Sequence, residues 1–410
     1  MFWKTVLALL ASFASVHAAA STAQDYQPAD LVAEAWRAIK DGYYDASYGG
    51  ADWEQVADEF VHQDYDDIDA AHQAVRRMLS LLDNPSTRFL TPPQASAMIA
   101  ELGGALGSGI GLAELLSVDI DEQQGGIVIV TPVADTPAVR SGLRTGDRLL
   151  RIDDEPVETS ALADVMSMLR GPAGTAVKID YRRGDKVHSA VVAREDLGSI
   201  SAVGARIVSA GDLSVGYLRV SLLDGGASGE ALRQIDRLRG EGVDGIVLDL
   251  RNNPGGRLSS LQEIAGALLG PLPIARVTQR EGVRTLMADG DRRTDLPLVV
   301  LINEGTASAA EMLAAALSHH DRALLVGAGS FGKGLAHGFV SLSDGAGVMF
   351  TMGRIATLDG ADILTEGVSP DIEIRFEPHP VVDPDVDAAS ADDAPFQRAV
   401  DIIARRPAAP

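Results

Sequence analysis

Hydrophobic positions along the chain change their period twice, and each change marks a block. From about Pro28 to Leu102 they recur at helical spacing: Leu31, Val32, Ala35, Trp36 and Ile39 fall on one stripe, as do Val75, Met78, Leu79 and Leu82. Between Leu106 and about Arg194 the period shortens to that of strands. Ile127–Val130, Leu149–Ile152 and Val177–Tyr181 are separated by Gly, Pro and Asp turns, with one helix near Ala161–Leu169. From Leu213 to about Ile374 strands alternate with helices. Within that block Ile246–Leu250, Leu298–Ile302 and Ala323–Val326 are apolar enough to be buried on both faces of a sheet. Beyond Glu377 the chain is rich in Pro, Asp and Ala until Phe396, then offers a short amphipathic end.

Composition sharpens this division. The chain has 410 residues, 46% hydrophobic and 23% charged, which suits two or three globular domains with real cores. The first residues stand apart. Lys4 gives a positive start, Val6–Val16 is a short apolar run, and Val16 and Ala18 are small residues at the −3 and −1 positions of a cut after Ala18. That is the shape of a secretory signal peptide over residues 1–18, too short to span a bilayer, and it predicts export, most simply to a periplasm. No other stretch is long and apolar enough for an integral membrane span. The formal charge is −23, or −24 without Lys4 and the rest of the leader. A chain this acidic repels nucleic acid and anionic lipid, so neither is expected as a partner. With no cysteine, disulfides, thiolate nucleophiles and zinc–sulfur sites are excluded.

The β-rich block carries two glycine signatures, Ser108-Gly109-Ile110-Gly111-Leu112 and, later, Val139-Arg140-Ser141-Gly142-Leu143-Arg144-Thr145-Gly146-Asp147-Arg148-Leu149. Together they resemble a PDZ domain. The resemblance implies that backbone amides of Gly109, Ile110, Gly111 and Leu112 bind a peptide's terminal carboxylate, while an open strand edge adds the peptide as an extra strand.

Each apolar strand of the α/β block is followed by an unusual loop: Arg251-Asn252-Asn253-Pro254-Gly255-Gly256, Asn303-Glu304-Gly305-Thr306-Ala307-Ser308, and Gly327 to Gly334. Sites in α/β sheets gather at such strand ends, so the three loops can meet. Ser308-Ala309-Ala310-Glu311 fits a helix capping box, which accounts for Ser and Glu without catalysis. The same Ser stands at a helix N-terminus that favours developing negative charge, but as a nucleophile it needs a base. His319 and His320 lie about three turns along the helix, out of reach. His337 and Lys333 remain. Lysine is scarce here, at Lys4, Lys40, Lys178, Lys186 and Lys333 alone, and unlike arginine it can be neutralised by burial. Gly327 to Lys333 also matches most of a phosphate-binding loop. However, Gly334 stands where that motif needs Ser or Thr, and a strand pattern follows where it needs a helix.

Taken in order, the PDZ-like block, Leu248-Asp249-Leu250-Arg251-Asn252-Asn253-Pro254-Gly255-Gly256, Asn303 to Met312 and Gly329-Ser330-Phe331-Gly332-Lys333-Gly334 resemble the C-terminal processing (tail-specific) serine peptidases. Asp83–Leu90 and Glu366–Asp371 resemble two further motifs of that family, so the likeness covers nearly the whole mature chain. It implies a multidomain α+β and α/β protein: a helical N-terminal segment (19–105), an inserted PDZ domain (106–195), an α/β sandwich peptidase core of crotonase type (196–376) and an acidic, Pro-rich tail (377–410). It further implies Ser308 as nucleophile, Lys333 as general base, and the amides of Ala309 and of Gly255 or Gly256 as the oxyanion hole. The substrates would be proteins or peptides with accessible C-termini, and neither cofactor nor metal is implied. His337 stands where the family usually has a glutamine that orients the lysine, and His319 where it has an acidic residue. A protonated His337 would repel Lys333, so a steep acid-side loss of activity is expected. Two rivals are a degenerate peptidase acting as an exported PDZ peptide-binding protein, and a sandwich-fold binder of a small lipophilic ligand.

Overall fold

The computed structural model describes residues 27–84, 86–102, 108–118, 126–132, 136–144, 146–157, 162–197, 201–374, 389 and 393–405; the expected leader, residues 1–18, lies outside them. The first block is helical where the stripes predict it, in α1 (Pro28–Gly42) and α2 (Ile68–Ser80). Asp67 caps α2 by accepting from the Ala70 amide at 2.8 Å. Leu31, Ile39, Val75 and Met78 close one core with Trp53, Phe89 and Phe350. This block also contributes a strand, which the periodicity did not reveal. β1 (Arg88–Leu90) pairs antiparallel with Gly347–Met349 of the α/β block, so the N-terminal segment is built into the sheet beyond it.

The second block is an antiparallel sheet of β2 (Leu112–Val118), β3 (Gly126–Pro132), β4 (Arg148–Ile152), β5 (Ala176–Arg183) and β6 (Lys186–Ala193), in that order, with α3 (Leu162–Leu169) packed against it. Alternation decides which residues are inside: Val177, Ile179 and Tyr181 are buried and Lys178 exposed. Asp147 of the Gly-Asp motif is buried and held by the Arg183 guanidinium through two 2.7 Å bonds.

From residue 203 the chain runs through β7 (Val203–Ala210), β8 (Leu213–Val220), α4 (Ala227–Gly240), β9 (Gly245–Asp249), α5 (Leu258–Leu269), β10 (Pro273–Gln279) and β11 (Gly282–Met287). It continues through β12 (Leu298–Ile302), α6 (Ala309–His319), β13 (Ala323–Gly327), β14 (Leu335–Ser341), β15 (Gly347–Ala356), β16 (Ile372–Glu373) and α7 (Ala394–Arg405). One sheet has the order β7-β8-β9-β12-β13-β16, parallel after its first antiparallel pair; the other joins β1, β15, β10 and β11, with β14 on the opposite edge of β15. Helices α4, α5 and α6 pack their apolar faces, among them Ile235, Ile264, Leu268, Met312 and Leu317, against Leu218, Ile246, Leu248 and Val300 of the first sheet. Ile274 and Ile355 of the second sheet close the same core.

The opposite face of the first sheet is covered by the amphipathic end of the chain. Residues 394–405 form an amphipathic helix whose Phe396, Ala399, Val400, Ile402 and Ile403 cover Val215, Tyr217, Val247, Val299 and Leu301. Burying each of its Phe, Val and Ile side chains contributes about 1.5–3 kcal/mol before entropy is subtracted. The central strands are thereby buried on both faces, as their unbroken apolar runs require.

Candidate active site

Loops leave the carboxyl ends of β9, β12 and β13, and short hydrogen bonds lock them together. Thr306 Oγ1 donates to the Leu250 carbonyl at 2.8 Å and the Ala307 amide to the Asn253 carbonyl at 2.8 Å. Asn252 and Asn303 grip each other: the Asn252 amide donates to Asn303 Oδ1 at 2.8 Å and Asn303 Nδ2 to Asn252 Oδ1 at 2.9 Å. The third loop joins through the Phe331 amide, which donates to the Thr306 carbonyl at 2.9 Å.

Ser308 sits at the turn from loop to α6 with φ +54°, a backbone region costly for any residue but glycine, and local strain of this kind costs about 1–3 kcal/mol. The turn leaves Ala309 as the first residue of α6, where amides have no helical acceptor. Gly255 presses on this point. A Cβ there would lie 2.8 Å from both the Ala307 oxygen and the Ala309 nitrogen and 2.9 Å from Ser308 Cβ, and its φ is +98°. Only glycine fits. The Gly255 N–H donates to Asn253 Oδ1 at 2.8 Å, itself part of a buried side chain anchored on the Val220 carbonyl. Among the described residues no such bond engages the Gly256 N–H, and the next residue's amide ties this turn to the Leu223 carbonyl at 2.7 Å.

Glu311 joins the two proposed dyad residues. Its fully buried carboxylate accepts from the Ser308 and Lys333 amides on one oxygen, at 2.6 and 2.9 Å, and from the Gly332 amide (2.7 Å) and the Ser330 hydroxyl on the other. One oxygen thus fixes the backbones of Ser308 and Lys333 side by side. Burial pushes the Glu311 carboxyl above its ordinary range, while the bonds from Ser330, Gly332, Lys333 and Ser308 pull the other way. The Gly332 and Lys333 amides, which a phosphate loop would turn on its ligand, are spent on this carboxylate. The capping pattern disclosed Glu311 as a helix cap but not as the bridge to the third loop.

His337 lies on β14, four residues beyond Lys333, and its Nε2 is buried without a hydrogen-bond partner. Burial, with Lys333 and Arg88 as like charges, holds its imidazole down at about 3. His337 is therefore neutral across the whole imidazole range, and the acid-side repulsion expected from the sequence does not arise there. His319 and His320 end α6 away from the loops, one paired with Asp359 at 3.0 Å and the other with the Pro273 carbonyl at 2.8 Å.

The sequence missed a second buried cluster. Arg251, at the root of the glycine loop, is held on one side by Asp249 and on the other by Asp393, with Tyr217 hydrogen-bonded to Asp249 at 2.7 Å. In the β domain, Gly109–Leu112 face Met166, Leu169, Arg170 and Leu197 across a cleft of only about 20 Å³. A further cleft of about 600 Å³, lined by Asp236, Arg239, Glu263, Asp289 and Arg293, opens at the other end of the strands, where the loop leads into β12. No helix among the described residues is long and apolar enough to cross a membrane.

Comparison with known proteins finds three families along the chain: peptidase family S41 at residues 214–374, a PDZ domain at 114–193 and the Tricorn protease C1 domain at 29–63. The chain is 34% identical to the carboxyl-terminal-processing protease of Synechocystis over 91% of its length and 86% of that protein's. It is 33% identical to carboxyl-terminal-processing peptidase 2, chloroplastic, of Arabidopsis thaliana over 83% and 68%. Among solved structures, a photosystem II D1 C-terminal processing protease superposes with a TM-score of 0.77 at 33% identity, covering 91% of this chain and 98% of the other.

Proposed function

The chain belongs to peptidase family S41, and on that premise we propose that it is an exported serine endopeptidase that grips substrate C-termini with its PDZ domain and cuts near them with a Ser308–Lys333 dyad. The observation that carries the reading is the single Glu311 oxygen that accepts from the amides of both dyad residues. A nucleophile and its base must keep a fixed geometry through the reaction, and a buried carboxylate at the junction of two loops supplies that constraint.

The steps follow from the groups present. The unprotonated Lys333 amine takes the proton from Ser308 Oγ, which attacks the scissile carbonyl carbon. The oxyanion forms against the Ala309 N–H and the Gly255–Gly256 turn, where preorganised donors commonly supply the largest part of the barrier reduction. Lys333 returns its proton to the leaving amine. A water, deprotonated by the same lysine, then attacks the ester and regenerates Ser308. Neutral His337 beside Lys333 can accept from the ammonium form through a ring nitrogen, the role the family's glutamine plays. The amides of Gly109–Leu112 would hold the substrate's terminal carboxylate. Met166, Leu169 and Leu197 line the same cleft and would receive the apolar side chain beside that carboxylate. Residues 1–18 would direct export and be removed after Ala18.

Two matched peptides with an apolar tail, one ending in a free carboxylate and one amidated, test the recognition. Cleavage of the free form at lower KM, lost in Ser308→Ala, is expected. Equal KM for both would refute carboxylate capture, and turnover by Ser308→Ala would refute the nucleophile.

A further inference from the structure

In the buried cluster around Arg251, two carboxylates from distant parts of the chain share one guanidinium, with Arg219 as a second positive charge near Asp249. Asp249 already engages the guanidinium through Nε at 3.0 and 3.1 Å and Nη2 at 2.6 Å, and Tyr217 completes its hydrogen bonding. Asp393, 0% exposed, adds bonds to Nη1 at 3.0 Å and Nη2 at 2.8 Å. A second buried carboxylate on a guanidinium that already has a partner is poorly explained as a source of stability, because desolvation offsets most of its gain. What it does supply is position. Asp393 also accepts from the Phe396 amide at 3.1 Å and the Ala389 amide at 3.0 Å, so it is rigidly part of the start of α7. Arg251 lies at the root of the loop that runs through Asn252, held at φ +56°, to Gly255 and Gly256. The guanidinium thus couples that loop to a helix 142 residues away in sequence.

We propose that Asp393 is a positioning residue: through Arg251 it sets the Asn252–Gly256 loop, so that hydrolysis at Ser308 depends on α7 being docked on the sheet. This rests on the reading of that loop as part of the oxyanion site. Asp393 touches neither Ser308 nor the position of a substrate, and acts only through Arg251.

The experiment uses the full chain and two readouts, peptide kinetics and amide hydrogen exchange of residues 251–257. In Asp393→Asn, kcat is expected to fall about 10- to 100-fold with KM within about twofold. Exchange of the 251–257 amides should quicken, and Asp393→Glu should recover part of both. A folded Asp393→Asn chain with wild-type exchange in that loop would overturn the proposal. Quickened exchange in a chain whose wild type cleaves nothing would instead overturn the functional reading and leave the coupling standing. Should Asp393→Asn not fold, Phe396→Ala loosens α7 without touching the carboxylate. Amides of 394–405 and 251–257 should then quicken together with a lower kcat, and faster exchange in the helix alone would refute the coupling.

Discussion

Replacing His337 by glutamine should make the protein more resistant to acid. In the folded chain His337 stays unprotonated until about pH 3, because its ring is buried beside Lys333 and Arg88; its ordinary value is 6.5. The unfolded chain therefore takes up a proton below about 6.5 that the folded chain refuses. This group's contribution to stability is complete above that pH and drains away as pH falls toward 3. Each unit of separation is worth about 1.4 kcal/mol, so the wild type should lose about 2 kcal/mol from this residue by pH 5 and about 3.5 by pH 4. Glutamine does not titrate and fits the hydrogen-bonding role. Urea unfolding followed by the fluorescence of Trp36 and Trp53, run at pH 7.5, 5 and 4 on both chains, gives the difference directly. It should grow by about 1.4 kcal/mol per unit below 6.5 in favour of His337→Gln. A difference that stays constant with pH would mean that the imidazole is solvated and the placement wrong. The same pair should show no separate step in kcat/KM between pH 5.5 and 7.5.

Two further outcomes follow from the site. Glu311→Gln turns an amide nitrogen on the Gly332 N–H even in its better orientation, leaving two buried donors unpaired; at about 1–3 kcal/mol for each, stability should drop by about 2–6 kcal/mol, with activity lost in the folded fraction, as read by denaturant midpoint and peptide turnover. Gly255→Ala forces a methyl to within 3 Å of Ala307, Ser308 and Ala309 at a positive φ; kcat should fall about 100-fold or more with far smaller change in KM, and a near-wild-type kcat would show that the turn lies away from the oxyanion.

The sequence disclosed what is local. The three loop motifs sit next to strands whose unbroken apolar runs announce a doubly covered parallel sheet, and the topology then brings Arg251–Gly256, Asn303–Ser308 and Ser330–Lys333 to one end. Glu311 was half legible: a capping box names its bond to the Ser308 amide, but nothing in the residues nearby predicts that the same oxygen holds Lys333. Asp393 lay in a stretch expected from its composition to be an acidic, Pro-rich tail, and its burial rests on the contact with Arg251 together with the Ala389 and Phe396 amides. β1 was missed because three residues carry too little alternation to stand out between helices. The pH expectation for His337 reversed because charge repulsion was weighed at the imidazole's ordinary value, whereas desolvation and two cations had already moved it.

The absence of cysteine allows the central claim, that the amine at position 333 is the base for Ser308, to be measured almost atom for atom. Lys333→Cys introduces the only thiol in the chain, and alkylation with 2-bromoethylamine rebuilds a lysine-like side chain with a sulfur in place of one methylene. Turnover of the apolar-tailed peptide, read by product mass, should be undetectable in Lys333→Cys, return after alkylation, and fail to return when Ser308→Ala is also present. Cleavage by unmodified Lys333→Cys at the wild-type rate would contradict the account.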